Sequence, residues 1–123
     1  TLANLCGATV PDDRPIDGVD QMDFLLGRQE KSNREGFVYY IKDELRAVKW
    51  RHWKMHFIWE VECNDGPKHL EAPYLFNLIS DPKEMTNVMM KANWVRNIVM
   101  GMIHEFRQSL RENPPTPPGT ADP

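Results

Sequence analysis

Residues 53–62 read WKMHFIWEVE, and this stretch decides the predicted fold. Large apolar side chains occupy every second position: Trp53, Met55, Phe57, Trp59 and Val61. The positions between them are mostly polar: Lys54, His56, Ile58, Glu60 and Glu62. Because successive side chains of a strand point to opposite faces, this period of two predicts a β-strand with one face on a core and the other in a more polar environment.

Three further strands are predicted around this one, at residues 37–41 (FVYYI), 45–50 (LRAVKW) and 74–79 (YLFNLI). Each is short and rich in aromatic or β-branched side chains. Only Arg51 and His52 separate the strands at 45–50 and 53–62, which indicates a tight hairpin. The sequence therefore predicts a small four-stranded antiparallel sheet.

A long amphipathic helix is predicted from Asn93 to about Glu112. An apolar stripe recurs every four residues along it, at Trp94, Ile98, Met102, Phe106 and Leu110, and Val95, Val99 and Ile103 widen that stripe. Pro114 and Pro115 end the helix, because proline cannot continue it. A helix with such a stripe covers one face of a small sheet. The predicted fold class is therefore α+β, a four-stranded antiparallel sheet packed against one long C-terminal helix.

Short segments flank this core. Residues 1–7 resemble the last turns of a helix closed by Gly7, and residues 22–26 a single turn closed by Gly27. In the stretch 81–84 (DPKE), an Asp, a Pro and a Glu approach the pattern of a capping box, which predicts a short helical turn. Residues 114–123 are rich in proline and predict an extended tail.

Composition excludes several classes of protein. The chain has 123 residues, of which 41% are hydrophobic and 27% charged, as in an ordinary globular domain and unlike a disordered one. Its net charge of -3 argues against a nucleic-acid partner. No apolar run approaches the length that spans a membrane. Cys6 and Cys63 are expected to be small buried thiols, although two cysteines are enough for one disulfide.

The chain lacks the common catalytic motifs. Its four histidines have no metal-ligand spacing, no Gly-rich phosphate loop is present, and no Ser lies in a GxSxG elbow. The basic and aromatic stretch 49–54 (KWRHWK) could stack single-stranded nucleic acid, but a hairpin with two core tryptophans is the favoured interpretation. We therefore predict no catalytic residue and no metal site in this chain.

Lys54 and His56 are the candidate binding residues. They project from one strand face, two positions apart, and a Lys and a His together can hold an anionic group. The alternative interpretation is an ordinary surface pair near Glu60. The sequence alone leaves both interpretations open.

Several motifs, taken in order along the chain, resemble the carboxyl-terminal part of the sulfatase family, most closely bacterial arylsulfatases. Residues 1–8 (TLANLCGA) are similar to the family's PTLaaLaGa helix, and residues 14–20 (RPIDGVD) with 24–27 (FLLG) to its DGvdl and pLLxG segments. Residues 47–54 (AVKWRHWK) match aVRtgryK, and residues 75–87 (LFNLISDPKEMTN) match eLYdLxxDPxExxN.

Three departures from these patterns are mild. Lys49 replaces an Arg, Phe76 a Tyr and Asn77 an Asp, so hydrogen bonds that the family makes through those side chains are in question here.

The resemblance implies a two-part enzyme that hydrolyses sulfate esters. In the family, a large domain related to alkaline phosphatase carries a formylglycine, made from the first residue of a C/S-x-P-x-R motif, and a bound Ca²⁺. That motif follows neither Cys6 nor Cys63. The resemblance therefore implies that Ca²⁺ and formylglycine belong to a missing N-terminal catalytic domain, and that this chain alone is inactive.

The same resemblance assigns the parts of this chain. Residues 1–27 correspond to the end of the catalytic domain and a connection, residues 28–113 to the C-terminal subdomain, and residues 114–123 to the Pro-rich tail. The expected partners are the N-terminal catalytic domain and a small-molecule sulfate ester, with no nucleic acid and no membrane. Lys54 and His56 are the expected substrate-binding residues on the wall of the cleft. The alternative is a free-standing, non-catalytic binding or interaction module with the same fold.

Overall fold

A computed structural model of the chain describes residues 1–13, 15–62 and 64–115. Cys63, and with it any pairing to Cys6, lies outside the described residues, as does most of the tail predicted at 114–123. The described residues form two compact units, one made of those in 1–35 together with 107–115, the other of those in 36–106. The domain boundaries expected after residues 27 and 113 stay predictions.

The first unit contains two four-residue helices, α1 (Leu2–Leu5) and α2 (Met22–Leu25). Each helix is followed by a glycine with positive φ, 69° at Gly7 and 70° at Gly27. A residue with a side chain would be strained there, so the glycines end both helices as predicted. Cys6 is exposed, which is contrary to the buried thiol that the sequence favours at this position.

The second unit contains a four-stranded sheet and most of a long helix. Its strands are β1 (Gly36–Ile41), β2 (Glu44–Trp50), β3 (Trp53–Trp59) and β4 (Lys68–Asn77). They pair in sequence order, and every neighbouring pair is antiparallel. Helix α3 runs from Trp94 to Glu112. The predicted fold class, a four-stranded antiparallel sheet with one long C-terminal helix, is confirmed.

The core lies between one face of the sheet and α3. Fully or almost fully buried side chains from both sides form it: Val48, Met55, Leu75, Ala92, Val95, Val99 and Ile103. Trp94 is 56% exposed, so the centre of the buried stripe is the Val95, Val99 and Ile103 row. In the described part of the chain, no helix is both long and apolar enough to cross a lipid bilayer.

Strand β3 does not keep its predicted alternation to the end. The pairing of β3 with β4 shifts register between His56 and Ile58. Ile58 is buried, whereas Val61 lies beyond the end of the strand and is 68% exposed. The ring of Trp59 contacts His56, so it lies on the face opposite Met55. The expectation that Trp59 and Val61 share the core face with Met55 is therefore wrong.

Residues 78–93 cover part of the exposed edge of β4. The Leu75 N–H donates to Asn87 Oδ1 at 3.0 Å, and the Val88 N–H donates to the Leu75 carbonyl oxygen at 2.8 Å. Pairing of edge groups in this way protects a sheet from unwanted strand addition. The segment consists of turns and contains no helix, so the short helical turn predicted after Asp81 is wrong.

Candidate functional site

The face of the sheet opposite α3 carries the residues that the sequence singled out. Strand pairing places Tyr39, Ala47, His56 and Tyr74 in one row across all four strands. Lys54 is paired with Phe76 in the next row. Side chains in one row lie on the same face of a sheet. We call this surface the aromatic face, formed by Tyr39, Ala47, Lys54, His56, Trp59, Tyr74 and Phe76.

Ring contacts hold the aromatic face together. Trp59 stacks on Phe76 with ring centroids 5.4 Å apart, and it meets Tyr74 edge-on at 5.7 Å. The His56 imidazole lies edge-on to Trp59 at 4.9 Å and to Phe76 at 5.7 Å. Phe76 is only 2% exposed. Pairs of this geometry add to the energy of burial, so the His56 ring is held firmly in place.

Glu84 places its carboxylate between the two candidate binding residues. One oxygen accepts a hydrogen bond from Lys54 Nζ at 2.6 Å, and the other lies 2.5 Å from His56 Nε2. All three side chains are largely buried, with exposures of 22% for Lys54, 14% for His56 and 18% for Glu84. A largely buried charge needs a partner of opposite sign, and the Lys54 ammonium and the Glu84 carboxylate are each other's partners. We call these residues the 54–56–84 cluster.

The turn that carries Glu84 has an unusual backbone. Glu84 has a φ of 57°, in the left-handed region where a side chain is unfavourable. Its N–H donates to the Asp81 carbonyl oxygen at 3.1 Å. The Asp81 carboxylate accepts the N–H groups of Met85 at 3.0 Å and Thr86 at 2.8 Å. Glu84 therefore turns toward the sheet and does not complete a capping box.

The protonation of His56 follows from its surroundings. Burial lowers the pKa of His56 below 6.5, and the charge of Lys54 lowers this pKa further. The hydrogen bond and the charge of Glu84 raise it, but by less than the other two effects lower it. The net effect favours the neutral imidazole at neutral pH. The 54–56–84 cluster then contains one cation and one anion, so its charges balance.

Lys54 and His56 are the two residues for which the sequence predicts substrate contact. They do share a face and lie close together, but the anion between them is Glu84 of the same chain. Glu60, which the sequence placed near them, lies 3.4 Å from Arg46 Nη1 instead. Contact of Lys54 and His56 with a substrate stays a prediction.

Glu84 is the member of the cluster that the sequence analysis missed. The pattern of residues 81–84 predicts a helix-cap role for Glu84, whereas its carboxylate binds the largely buried Lys54 and His56. The carboxylate comes from the segment that follows β4.

A second polar group lies around Arg46. Its guanidinium lies 3.1 Å from Glu44 Oε2 and 3.4 Å from Glu60 Oε2, and Glu44 also lies 3.5 Å from His69 Nε2. Across the described ranges, no three His, Cys, Asp or Glu side chains come together as metal ligands. Neither polar group therefore fits a metal ion.

The basic and aromatic stretch 49–54 forms a hairpin, as the favoured interpretation predicted. The rings of Trp50 and Trp53 meet Trp94 edge-on, with centroids 6.0 Å and 5.9 Å apart. Both tryptophans pack against the core. Arg51 at the tip covers the Trp50 ring at 4.9 Å. Two tryptophans that belong to the core do not form an open stacking platform.

The family model, the relatives and the solved structure described here, all similar to this chain, are sulfatases. The family model described as the C-terminal region of aryl-sulfatase matches residues 32–117. Human steryl-sulfatase is 31% identical over 68% of this chain and 18% of its own length. Human arylsulfatase D is 26% identical over 93% of this chain and 24% of its own length.

A solved structure extends the similarity to the fold. The PsFucS1 sulfatase from Pseudoalteromonas sp. superposes with a TM-score of 0.79 and 27% identity. The alignment covers 93% of this chain and 25% of that protein. The chain thus spans about a fifth to a quarter of the length of these proteins.

Proposed function

This chain belongs to the sulfatase family as its C-terminal region, and we propose that the complete protein hydrolyses sulfate esters in the manner of an arylsulfatase. The observation that carries the proposal is the fold match, which covers 93% of this chain with a TM-score of 0.79. The relatives named above are sulfatases, which supports a sulfuric ester hydrolase as the reaction class.

The proposal assigns the bond cleavage to an N-terminal catalytic domain. The residues of this chain do not fit a formylglycine or a Ca²⁺ site. Cys6 is followed by Gly7-Ala8-Thr9 and Cys63 by Asn64-Asp65-Gly66, so neither begins a C/S-x-P-x-R motif. No group of metal ligands is present among the described residues. We therefore assign both groups to the catalytic domain and expect this chain alone to be inactive.

The role proposed for this chain is to wall the substrate cleft through the aromatic face. Half-buried aromatic rings with a few placed polar groups are typical of small-molecule sites. Lys54 and His56 provide such polar groups, and Glu84 holds both in position. Contact with the substrate there supplies binding energy, while the chemistry takes place on the catalytic domain.

Activity measurements on two proteins test the proposed reaction. The complete protein, incubated with a chromogenic aryl sulfate and Ca²⁺, is expected to release the arene at a rate far above background. The purified 123-residue chain is expected to show background release only. Turnover by the chain that survives removal of trace host enzymes would contradict the assignment of the chemistry to another domain. Inactivity of the complete protein on sulfate esters would favour the non-catalytic module.

A substitution in the complete protein tests the proposed contact. His56→Ala is expected to raise KM more than it lowers kcat, with a combined loss of about 1–3 kcal/mol in kcat/KM. His104→Ala is the control, because His104 is exposed on α3 and lies outside the aromatic face. Equal kcat/KM values for both variants and the wild type would show that His56 does not touch the substrate.

A further inference from the structure

We propose that His56 binds a neutral hydroxyl group of the substrate, through a hydrogen bond that its Nδ1 atom accepts, and that this hydroxyl belongs to a pyranose ring lying on the aromatic face. The inference rests on the substrate contact proposed above and names its chemistry. It differs from the expectation drawn from the sequence, in which Lys54 and His56 held an anionic group.

The balance of charge argues against an anion at this site. Lys54 Nζ already binds Glu84 at 2.6 Å, in a place where only 22% of the Lys54 side chain is exposed. A sulfate that displaced Glu84 would leave that carboxylate buried without a partner, which is strongly unfavourable. Glu84 is also fixed by its turn, since Asp81 holds the N–H groups of the two residues that follow it. The cluster therefore has no cation to offer to a second anion.

The hydrogen bond to Glu84 determines which nitrogen of His56 carries the proton. A carboxylate can only accept, so His56 Nε2, which lies 2.5 Å from Glu84, must be the N–H donor. In a neutral imidazole the other nitrogen is then a bare acceptor. We assign the hydrogen to Nε2 and the lone pair to Nδ1 on this ground.

The Nδ1 atom has no partner in the part of the chain that the structure describes. Every hydrogen bond and ion pair of His56 there goes through Nε2 to Glu84. The only fully buried side-chain nitrogen or oxygen without a partner among the described residues is Arg46 Nε. Nδ1 is therefore accessible, and 14% of the His56 side chain is exposed. An accessible acceptor on a fixed ring fits a ligand that donates a hydrogen bond.

The surroundings of the acceptor favour a sugar ring as the donor. Trp59 lies edge-on to His56 at 4.9 Å, and Tyr74 lies 5.7 Å from Trp59. Both are partly exposed. A pyranose carries hydroxyl groups on its edge and apolar C–H groups on its faces, so it can donate to His56 and lie against an aromatic ring at once.

Nitrogen NMR of the His56 side chain tests the assignment and the ligand together. The full 123-residue chain, labelled with ¹⁵N at histidine, is titrated at neutral pH with methyl β-D-galactopyranoside and, separately, with inorganic sulfate. Before titration, Nε2 is expected to show the shift of a protonated nitrogen and Nδ1 that of a bare one. The glycoside is expected to move the Nδ1 signal, and sulfate to leave both signals in place.

Two substitutions separate the nitrogens of His56. His56→Gln places an amide N–H near the position of Nε2, so it keeps the bond to Glu84 and loses the acceptor. His56→Asn places an amide oxygen near the position of Nδ1, so it keeps the acceptor and loses that bond. Glycoside affinity, measured by quenching of Trp59 fluorescence against a Trp59→Phe blank, is expected to fall about tenfold in H56Q and by much less in H56N.

Two results would overturn the inference. One is a proton on Nδ1 in the free chain. The other is sulfate, and not the glycoside, shifting the His56 signals, which would return the site to the binding of an anion. Either result is independent of catalysis, because the titration needs no turnover. Failure of the complete protein to hydrolyse sulfate esters would instead contradict the proposed function.

Discussion

Asp81 and Glu84 lie in one turn, yet their carboxylates bind different partners. Asp81 accepts two backbone N–H groups of its own turn, which lowers the pKa of the Asp81 carboxyl below 3.8. Glu84 reaches the sheet and binds Lys54 and His56. Asp81 thus shapes the turn, and the turn positions Glu84.

Removal of the Asp81 carboxylate is expected to loosen this turn. In Asp81→Ala the N–H groups of Met85 and Thr86 lose their acceptor, so the melting temperature should fall by a few degrees. Lys83→Ala, an exposed position of the same turn, is the control and should melt like the wild type. In the complete protein, kcat is expected to stay near the wild-type value. A large fall in kcat without a change in melting temperature would place Asp81 at the substrate.

The stability of the chain is expected to depend on the protonation of His56. Burial and Lys54 lower its pKa in the folded state, so below about pH 6.5 the unfolded chain binds a proton that the folded chain does not. The free energy of unfolding should therefore fall as the pH drops from about 7 to about 5. Thermal melts of the wild type and H56Q measure the effect. An equal fall in both proteins would assign it to other groups.

At the scale of elements, both tight hairpins have a residue with an unfavourable backbone at the tip. The β1–β2 turn begins at Lys42 with φ 54°, and the β2–β3 turn begins at Arg51 with φ 51°. Two-residue hairpin turns prefer glycine or asparagine for this reason. Strand pairing holds these turns in spite of their residues.

Lys42→Gly is expected to stabilise the chain by about 0.5–1 kcal/mol, because glycine adopts the left-handed conformation without steric cost. Arg51→Gly should gain less, since it also removes the contact of Arg51 with the Trp50 ring. Urea unfolding of the two variants and the wild type gives the comparison. Destabilisation by Lys42→Gly would mean that the Lys42 side chain makes a contact worth more than the relief of strain.

At the scale of the whole molecule, the first unit leaves much apolar surface uncovered. The most exposed of its large apolar side chains are at 56–76%: Leu2, Leu5, Leu25 and Leu26. Phe24 is 40% exposed. The chain spans about a quarter of the PsFucS1 sulfatase, so in our proposal the catalytic domain covers this surface. Exposed apolar patches of this kind mark contact sites.

The isolated chain is therefore expected to bind a hydrophobic dye and to associate in solution. The double variant Leu5→Ser and Leu25→Ser, changed at two exposed positions, should take up less dye at unchanged helix content. The complete protein should take up little. Size-exclusion chromatography and dye fluorescence make the comparison. A sharp monomer peak, a cooperative melt and no dye uptake by the wild-type chain would support the free-standing module instead.

The sequence by itself determined the elements and their order. The alternation of apolar and polar residues predicts β3, the apolar stripe predicts α3, and Gly7 and Gly27 predict the ends of the two short helices. The structure confirms the helix and both glycine ends, and it confirms β3 as far as Trp59, where the strand ends short of the predicted Glu62. Such features are readable because each depends on the backbone preferences of a few neighbouring residues. The family motifs were readable for a similar reason, since they lie in short continuous segments.

The tertiary structure alone decided the site. The bonds from Glu84 to Lys54 and His56 join residues 30 and 28 positions apart, across a turn whose path the sequence did not show. The register shift between His56 and Ile58 arises from the pairing with β4, and it moves Trp59 to the aromatic face. Local sequence patterns indicate which faces of a strand or helix are apolar. They do not indicate which polar groups meet on a face, because a buried charge binds a partner from whichever distant segment packs over it.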